Sequence, residues 1–401
     1  MPYATLQLGQ AVPWFAARSP VNPDFHFDTV GGRFIVMCFF ESAGDPAMRK
    51  LLDGITQNRA AFDDLNVCFF GVSTDSQDEK SARFSEQLPG IHLFWDFDRK
   101  ISRLYGAAPL EAAENQGGTL KAEGGNGAGG TAGDGTAPAA ASAEPYRRMT
   151  VVLDPRMRVM AVMAIDQNID GHLARLMDLI RGLPRIDSLP ADECHAPVLI
   201  VPRIFEPALC QMLIKYYEDR GGMDSGFMRE IDGKTVPVYD YGHKRRRDQE
   251  IEDENLRNAC MYRIHDRLLP EIQKAFAFKA TRIERYIVAC YEAETGGHFK
   301  PHRDNRTRGT AHRRFAVSLV LNSGQFEGGQ VRFPEYGPRA YAPPAGGAVV
   351  FSCSLLHEAM PVTRGKRYVF LPFLYDDAAA QIREANRQFI VSNPAKAAAG
   401  K

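Results

Sequence analysis

No stretch of the 401-residue sequence approaches the ~18 consecutive apolar residues that a membrane-spanning helix needs. The opening residues, MPYATLQLGQ, carry neither a basic segment nor an apolar one, so no secretory leader is expected and a cytoplasmic protein is. Net charge is missing too: Lys+Arg and Asp+Glu both number 49. Nucleic-acid and anionic-membrane partners draw on an excess of positive charge, so this balance argues against both. One basic run, residues 244–247, is followed by Asp248, Glu250, Glu252 and Asp253, and reads as a solvated face of mixed charge. Cysteine is sparse, with seven residues and none at C-x-x-C spacing. Cys38, Cys68, Cys290 and Cys353 lie in apolar, strand-like runs. They read as buried thiols in a reduced compartment, not as a disulfide framework or a zinc site.

What is present is the composition of a globular protein, 44% hydrophobic and 24% charged, in a chain long enough for two domains. Residues 115–143 are almost all Gly and Ala, cannot fill a core, and read as a flexible disordered segment. Before it, strands at residues 34–40 (FIVMCFF) and 66–73 alternate with helices. One of these carries Met48, Leu51, Leu52, Ile55 and Phe62 on one face, and another is expected over 77–86. After it come a hairpin around Asp154-Pro155 and a helix over 169–181. The βα alternation thus runs across the Gly/Ala segment, which makes it an insertion within one α/β domain, residues 1–186. A polar joint at 187–196 leads to a second domain, 195–380. It begins with a helix over 207–219, its inward face set by Leu209, Met212, Leu213 and Tyr216. A helical stretch broken by Pro270 follows. Beyond residue 280 come short strands between Gly- and Pro-rich turns, the pattern of a sandwich or barrel. Residues 381–401 read as a frayed tail.

The chemistry concentrates in Gly297-His298-Phe299-Lys300-Pro301-His302-Arg303-Asp304. On an extended chain His302 and Asp304, two apart, project to one face and can grip one metal. His357, in Ser354-Leu355-Leu356-His357-Glu358, supplies a distant third ligand. Two His and one carboxylate leave coordination positions open, the arrangement of Fe(II) oxygenases. A second His-x-Asp, His26-Phe27-Asp28, is assigned to a surface loop with no metal role. Arg367, ten residues after His357, sits in the apolar run RYVFLPFLY, where a guanidinium needs an anionic partner. The far carboxylate of a dicarboxylic acid fits its fork. Lys366 competes by adjacency, but neighbours on a strand face opposite ways.

With these residues in view, residues 283–375 resemble the catalytic domain of prolyl 4-hydroxylase-type 2-oxoglutarate/Fe(II) dioxygenases. Further matching stretches are Ala289-Cys290-Tyr291, Leu321-Asn322, Phe326-Glu327-Gly328-Gly329, Pro344-x-Gly346 and Pro361-Val362-x-x-Gly365-x-Arg367. The resemblance implies an α+β double-stranded β-helix (jelly-roll, cupin-like) with flanking helices. It implies Fe(II) on His302, Asp304 and His357, with 2-oxoglutarate and O2 as cosubstrates and ascorbate as reductant. Arg367 holds the cosubstrate's far carboxylate and Tyr291 lines its pocket. The implied reaction is hydroxylation of an unactivated C–H, on a protein side chain such as proline. Related halogenases lack the carboxylate ligand, so Asp304 favours hydroxylation. A nucleic-acid demethylase of the same chemistry and a non-catalytic metal/2-oxoglutarate sensor or scaffold stand as alternatives. His298 and His312 fall in loops without a direct role.

Residues 5–182 resemble peroxiredoxins of the thioredoxin fold. The match rests on Leu8-Gly9-Gln10-Ala11-Val12-Pro13, the FIVMCFF strand, Gly71-Val72-Ser73, Leu104-Tyr105-Gly106 and Arg148-x-Thr150-Val151-Val152-Leu153-Asp154-Pro155. The family's Pro-x-x-x-Thr-x-x-Cys positions align here with Glu41, Asp45 and Met48. A thioether cannot form the attacking thiolate, so no thiol peroxidase activity is expected, and Arg148 has no thiolate to activate. The domain is then a docking module or a homodimerisation module.

Overall fold

A computed structural model describes residues 3–111, 145–189 and 195–391. The expected Gly/Ala insertion at 115–143 and the tail beyond residue 391 lie outside the described residues. The chain divides into two compact units, Met1–Ile186 and Asp187–Lys401.

The N-terminal unit is thioredoxin-like. Its five-stranded sheet runs Ile91–Trp95, Val67–Ser73, Phe34–Glu41, Met149–Leu153, Val159–Ala164. The first three strands are parallel and the last two antiparallel. Phe34–Phe40 are all buried. A strand covered on both faces must be apolar throughout, which is why this run reads as unbroken hydrophobic sequence. Each such side chain contributes about 2 kcal/mol of burial. Helix Pro46–Gln57 packs Met48, Leu51, Leu52 and Ile55 on one face, but Phe62 lies beyond its end. The helix expected over 77–86 is shorter, Ser76–Lys80. The buried Asp78 carboxylate accepts from Ala43 N at 2.8 Å and Ser73 Oγ at 2.7 Å, and the chain turns away at Ala82 with φ +45°. His26-Phe27-Asp28 is not a surface loop. Phe27 and Asp28 are fully buried, with Phe27 stacked on Phe15 at 4.6 Å, so apolar packing fixes this segment.

The C-terminal unit is a double-stranded β-helix of two facing sheets. The larger orders Arg282–Glu284, Phe373–Tyr375, Phe315–Val320, Lys366–Phe370, Ile287–Glu292, Arg247–Glu250 and Met223–Asp224, with Ala348–Ser352 and Leu199–Val201 attached. The smaller orders Lys244–Arg245, His298–His302, His357–Ala359, Val331–Arg332, Ala340–Tyr341. Strand alternation sorts the larger sheet's side chains. Val288 and Cys290 join the helix-side core with Leu209, Leu213 and Ile264, whereas Ala289 and Tyr291 face the barrel interior with Phe299 and Val369. The helical stretch breaks at Pro270 into Glu254–Arg267 and Leu269–Phe276. Helix Pro207–Arg220 ends at Gly221, whose φ of +81° suits glycine. Met212 does not face inward; it is half exposed, because the core face runs through Leu209, Cys210, Leu213 and Tyr217.

The segment expected to fray from residue 381 is ordered through its first part. Helix Asp377–Asn386 is capped by Asp376 onto Ala379 N at 2.8 Å, buries Ala379, and is tied by Arg383 to the Tyr375 hydroxyl at 2.7 Å. Among the described residues no helix is long and apolar enough to cross a membrane.

Candidate metal centre

The structure brings His302, Asp304 and His357 together; one ligating atom from each lies within 4.8 Å of the others. His302 ends one strand and His357 opens its neighbour, and the two pair directly across the ladder. Asp304 follows on the turn, its backbone N–H donating to the Cys353 carbonyl at 2.9 Å. The Asp304 carboxylate lies 3.6 Å from His302 Nε2 and 3.3 Å from His357 Nε2. His302 Nδ1 donates to the Lys300 carbonyl at 2.7 Å, and His357 Nδ1 to the Leu355 carbonyl at 2.9 Å. A carbonyl only accepts, so each Nδ1 carries the hydrogen and each Nε2 offers its lone pair to the same point. Burial, and then the facing His357, push the His302 imidazole down to about 4, so it stays neutral. Burial alone would raise Asp304, but His357 and His302 hold it well below the usual carboxylate range. Two imidazoles and one carboxylate converging in a buried site fit an Fe(II) ion with open positions.

The turn is pinned from behind. The Arg303 guanidinium, between His302 and Asp304 in sequence, meets Glu335 at 2.9 Å, with both side chains buried. Phe299 stacks on His302 with ring centroids 3.5 Å apart, and Phe351 packs on His357 at 4.5 Å.

Arg367 sits on the opposite sheet, 3% exposed. It donates to Ser318 Oγ at 3.0 Å and lies 5.2 Å from the Tyr291 ring. It passes over Gly329, where a Cβ would come within 2.7 Å of the Arg367 Cδ. Burial pulls its pKa down from the ordinary value. Arg367 and Tyr291 line the same cavity as His302, Asp304 and His357. Lys366 points out, paired with Glu292 at 3.3 Å and Glu218 at 3.7 Å. His298 and His312 stay outside the cluster: His298 Nδ1 meets the Gly296 carbonyl, and His312 is buried on Glu284 at 2.7 Å.

The basic run at 244–247 is not a uniform solvated face. Lys244 and Arg246 are buried and line the cavity, while Arg245 and Arg247 point outward. Arg246 is held by Asp248 through two 2.7 Å bonds and approaches the Tyr291 hydroxyl at 3.4 Å. Alternation along the strand carried this signal: Lys244, Arg246 and Asp248 are two apart, as are Arg245 and Arg247. Arg285 and the Arg313–Glu284 pair were also missed, since nothing marks them in the sequence as cavity-facing.

In the N-terminal unit, Met48 occupies the first turn of helix Pro46–Gln57 and is buried. Arg148 is bound by Asp45 at 3.0 Å and Glu41 at 3.3 Å. Asp45 also caps the helix, accepting from Ala47 N at 2.9 Å and Met48 N at 3.1 Å. Burial works against its ionisation, but the Met48 N–H and Arg148 hold the carboxyl below its usual range. Burial pushes the Cys38 thiol up to about 12, and Cys68 higher still. The place of a nucleophile is thus filled by a thioether and an ion-pair cluster.

Comparison with known proteins places both units. Residues 286–375 match the 2OG-Fe(II) oxygenase superfamily, and residues 8–162 match the AhpC/TSA family. The chain therefore joins a region similar to the AhpC/TSA family to a region similar to the 2OG-Fe(II) oxygenase superfamily. Human procollagen-lysine,2-oxoglutarate 5-dioxygenase 2 is 26% identical over 182 residues, 43% of this chain and 22% of that protein. A PKHD-type hydroxylase from Synechococcus sp. is 32% identical over 92 residues, 21% of this chain and 40% of that protein. The chain thus spans less than half the length of either relative. Among solved structures, a Pseudomonas putida prolyl-4-hydroxylase aligns over 45% of this chain and 92% of its own, with TM-score 0.34 and 19% identity. Peroxidoxin BcpB from Mycobacterium tuberculosis aligns over 45% and 99%, with TM-score 0.32 and 16% identity.

Proposed function

We propose that this protein is an Fe(II)- and 2-oxoglutarate-dependent dioxygenase that hydroxylates an unactivated C–H, on a protein side chain such as proline. The observation that carries the reading is the convergence of His302, Asp304 and His357 in one cavity with the buried cation Arg367. Iron with its cosubstrates supplies, when bound, the oxidising power to insert one oxygen atom into a C–H bond while 2-oxoglutarate leaves as succinate and CO2. The chain's own residues do the positioning. The Lys300 and Leu355 carbonyls fix the tautomer and aim of His302 and His357. Arg367, braced by Ser318 and Tyr291, orients the far carboxylate of the cosubstrate. Phe299 and Phe351 pack their rings against His302 and His357 and form an apolar wall beside them. Ascorbate keeps the iron reduced between turnovers in this reading. The N-terminal unit serves as a homodimerisation or docking module, which the mass of the protein in solution and its change on removing that unit would test.

The experiment is an anaerobic titration with Fe(II) and then 2-oxoglutarate, following the visible charge-transfer band of the chelate, with His302→Ala as control. A band that needs both additions and is lost in the variant supports the reading. Iron that fails to bind the wild-type protein sinks it and favours a binding protein built on two retired enzyme folds.

A further inference from the structure

The cavity holds more positive charge than the iron and cosubstrate account for. Besides Arg367 it is lined by Lys244, Arg246, Arg285, Arg303, Arg306 and Arg313, against the carboxylates Asp304 and Glu358. Arg246 and Arg313 each have a carboxylate of their own, and both carboxylates are fully engaged. Asp248 accepts from Arg246 at both oxygens and from Ser225 Oγ at 2.6 Å. Glu284 accepts from Arg313 at both oxygens and meets His312 at 2.7 Å. Among the described residues, Lys244 and Arg285 have no carboxylate within 4.0 Å. The Lys244 ammonium rests on the Gly226 carbonyl at 2.6 Å and Ser225 Oγ at 2.8 Å, 4.9 Å from the Phe299 ring. Arg285 Nε donates to the Leu371 carbonyl at 3.0 Å, and its guanidinium lies 4.3 Å from the Phe373 ring.

Two further observations concern Arg285. Its backbone is left-handed, φ +56°, in the bend between strands Arg282–Glu284 and Ile287–Glu292. L-residues rarely adopt that conformation, and such residues gather where a side chain must be aimed. Burial, with Arg246 and Arg313 adding to it, draws its pKa down to about 10. Asp248 and Glu284 offset this only in part, and a buried cation with no carboxylate paired to it is costly unless something brings one.

The geometry points to a substrate that carries a carboxylate, held by Arg285 and Lys244 while Arg367 holds the cosubstrate; this rests on the dioxygenase reading above. The carboxylate belongs either to the free terminus of a small acid or to an acidic side chain of a peptide, and both present the same planar anion to a guanidinium fork.

The test is calorimetric binding to the full-length protein, anaerobic, with Mn(II) in place of iron. 2-Oxoglutarate is titrated first. With it saturating, the probes are the N-acetyl amino acids against their methylamides, and end-blocked tripeptides with a central Glu against the same with Gln. At least one acid binds at least ~10-fold more tightly than its neutral counterpart, the worth of one charged hydrogen-bond pair. Which probe set shows the preference tells the source of the carboxylate. Arg285→Gln erases the preference and Arg285→Lys restores part of it. Equal binding of acids and neutral partners, or binding of neither, overturns the proposal. So does Arg285→Gln weakening 2-oxoglutarate as strongly as the acid, which would place Arg285 on the cosubstrate. Failure of 2-oxoglutarate itself to bind sinks the dioxygenase reading; its binding without any acid preference sinks only the carboxylate substrate.

Discussion

Replacing Arg367 by Gln separates a residue that holds the cosubstrate from one that merely holds the fold. The guanidinium is buried, donates to the neutral Ser318 hydroxyl at 3.0 Å beside Tyr291, and is without a carboxylate partner among the described residues. A charged hydrogen bond to a carboxylate contributes about 1.5–3 kcal/mol. Its loss weakens 2-oxoglutarate binding by about 10- to 150-fold. The ligand-free protein behaves in the opposite sense. Burying an uncompensated cation costs several kcal/mol, so removing it leaves the melting temperature unchanged or raises it. Arg367→Lys keeps the charge but not the fork, and falls between. The assay is the anaerobic charge-transfer titration for affinity, with thermal unfolding of metal-free protein beside it. A dissociation constant within about 3-fold of wild type would refute the cosubstrate assignment. A melting temperature lowered by more than about 4 °C, roughly 1 kcal/mol or more in a unit of this size, would mean the ligand-free fold already satisfies Arg367.

Glu335→Gln takes away the carboxylate that meets Arg303, between two of the metal ligands; metal affinity drops about 10- to 100-fold, read by competition with a chelator, and unchanged affinity counts against a positioning role. Burial pushes His243 down to about 4, below the ~6.5 of an unfolded histidine. The unfolded chain therefore takes up the proton first, so stability falls as pH drops from about 6.5 toward 4 and is fully present above. In His243→Gln the loss of melting temperature between pH 7 and 4.5 is smaller than in wild type; an equal loss contradicts the assignment. Met48→Cys places a thiol in the first helical turn, but Arg148 stays bound by Glu41 and Asp45, so peroxide consumption remains at background. Rapid turnover by that single variant would show that the ion-pair cluster is no obstacle. Cys38, its thiol pushed to about 12, resists maleimide at pH 8 until the protein unfolds, which mass spectrometry after pulse labelling checks.

Much of this protein is written locally. The FIVMCFF strand, the helix starting at Pro46 and the His302-x-Asp304 spacing follow from apolar runs, a proline at a helix start and the two-residue period of extended chain, and each depends only on near neighbours. The distant partners His357 and Arg367 were legible because they stand at fixed places in a recurrent order of strands. Other features depend on tertiary structure. Asp28 looked like a loop residue and is buried, because Phe15 and its neighbours claim Phe27 beside it. Helix Asp377–Asn386 looked like a tail until Tyr375 and Arg308 were placed against it. The 244–247 run looked like solvated surface, since charge composition does not say which of two alternating faces turns inward. That choice was made by the barrel, which buries Lys244 and Arg246 and brings Arg285 and Arg313 to the same cavity from turns far away in sequence. Sequence by itself determined the candidate metal ligands, because such a set needs particular residue types at particular spacings. Only the tertiary structure decided the charge of the chamber around it, because an electrostatic environment is a sum over everything folding brings near.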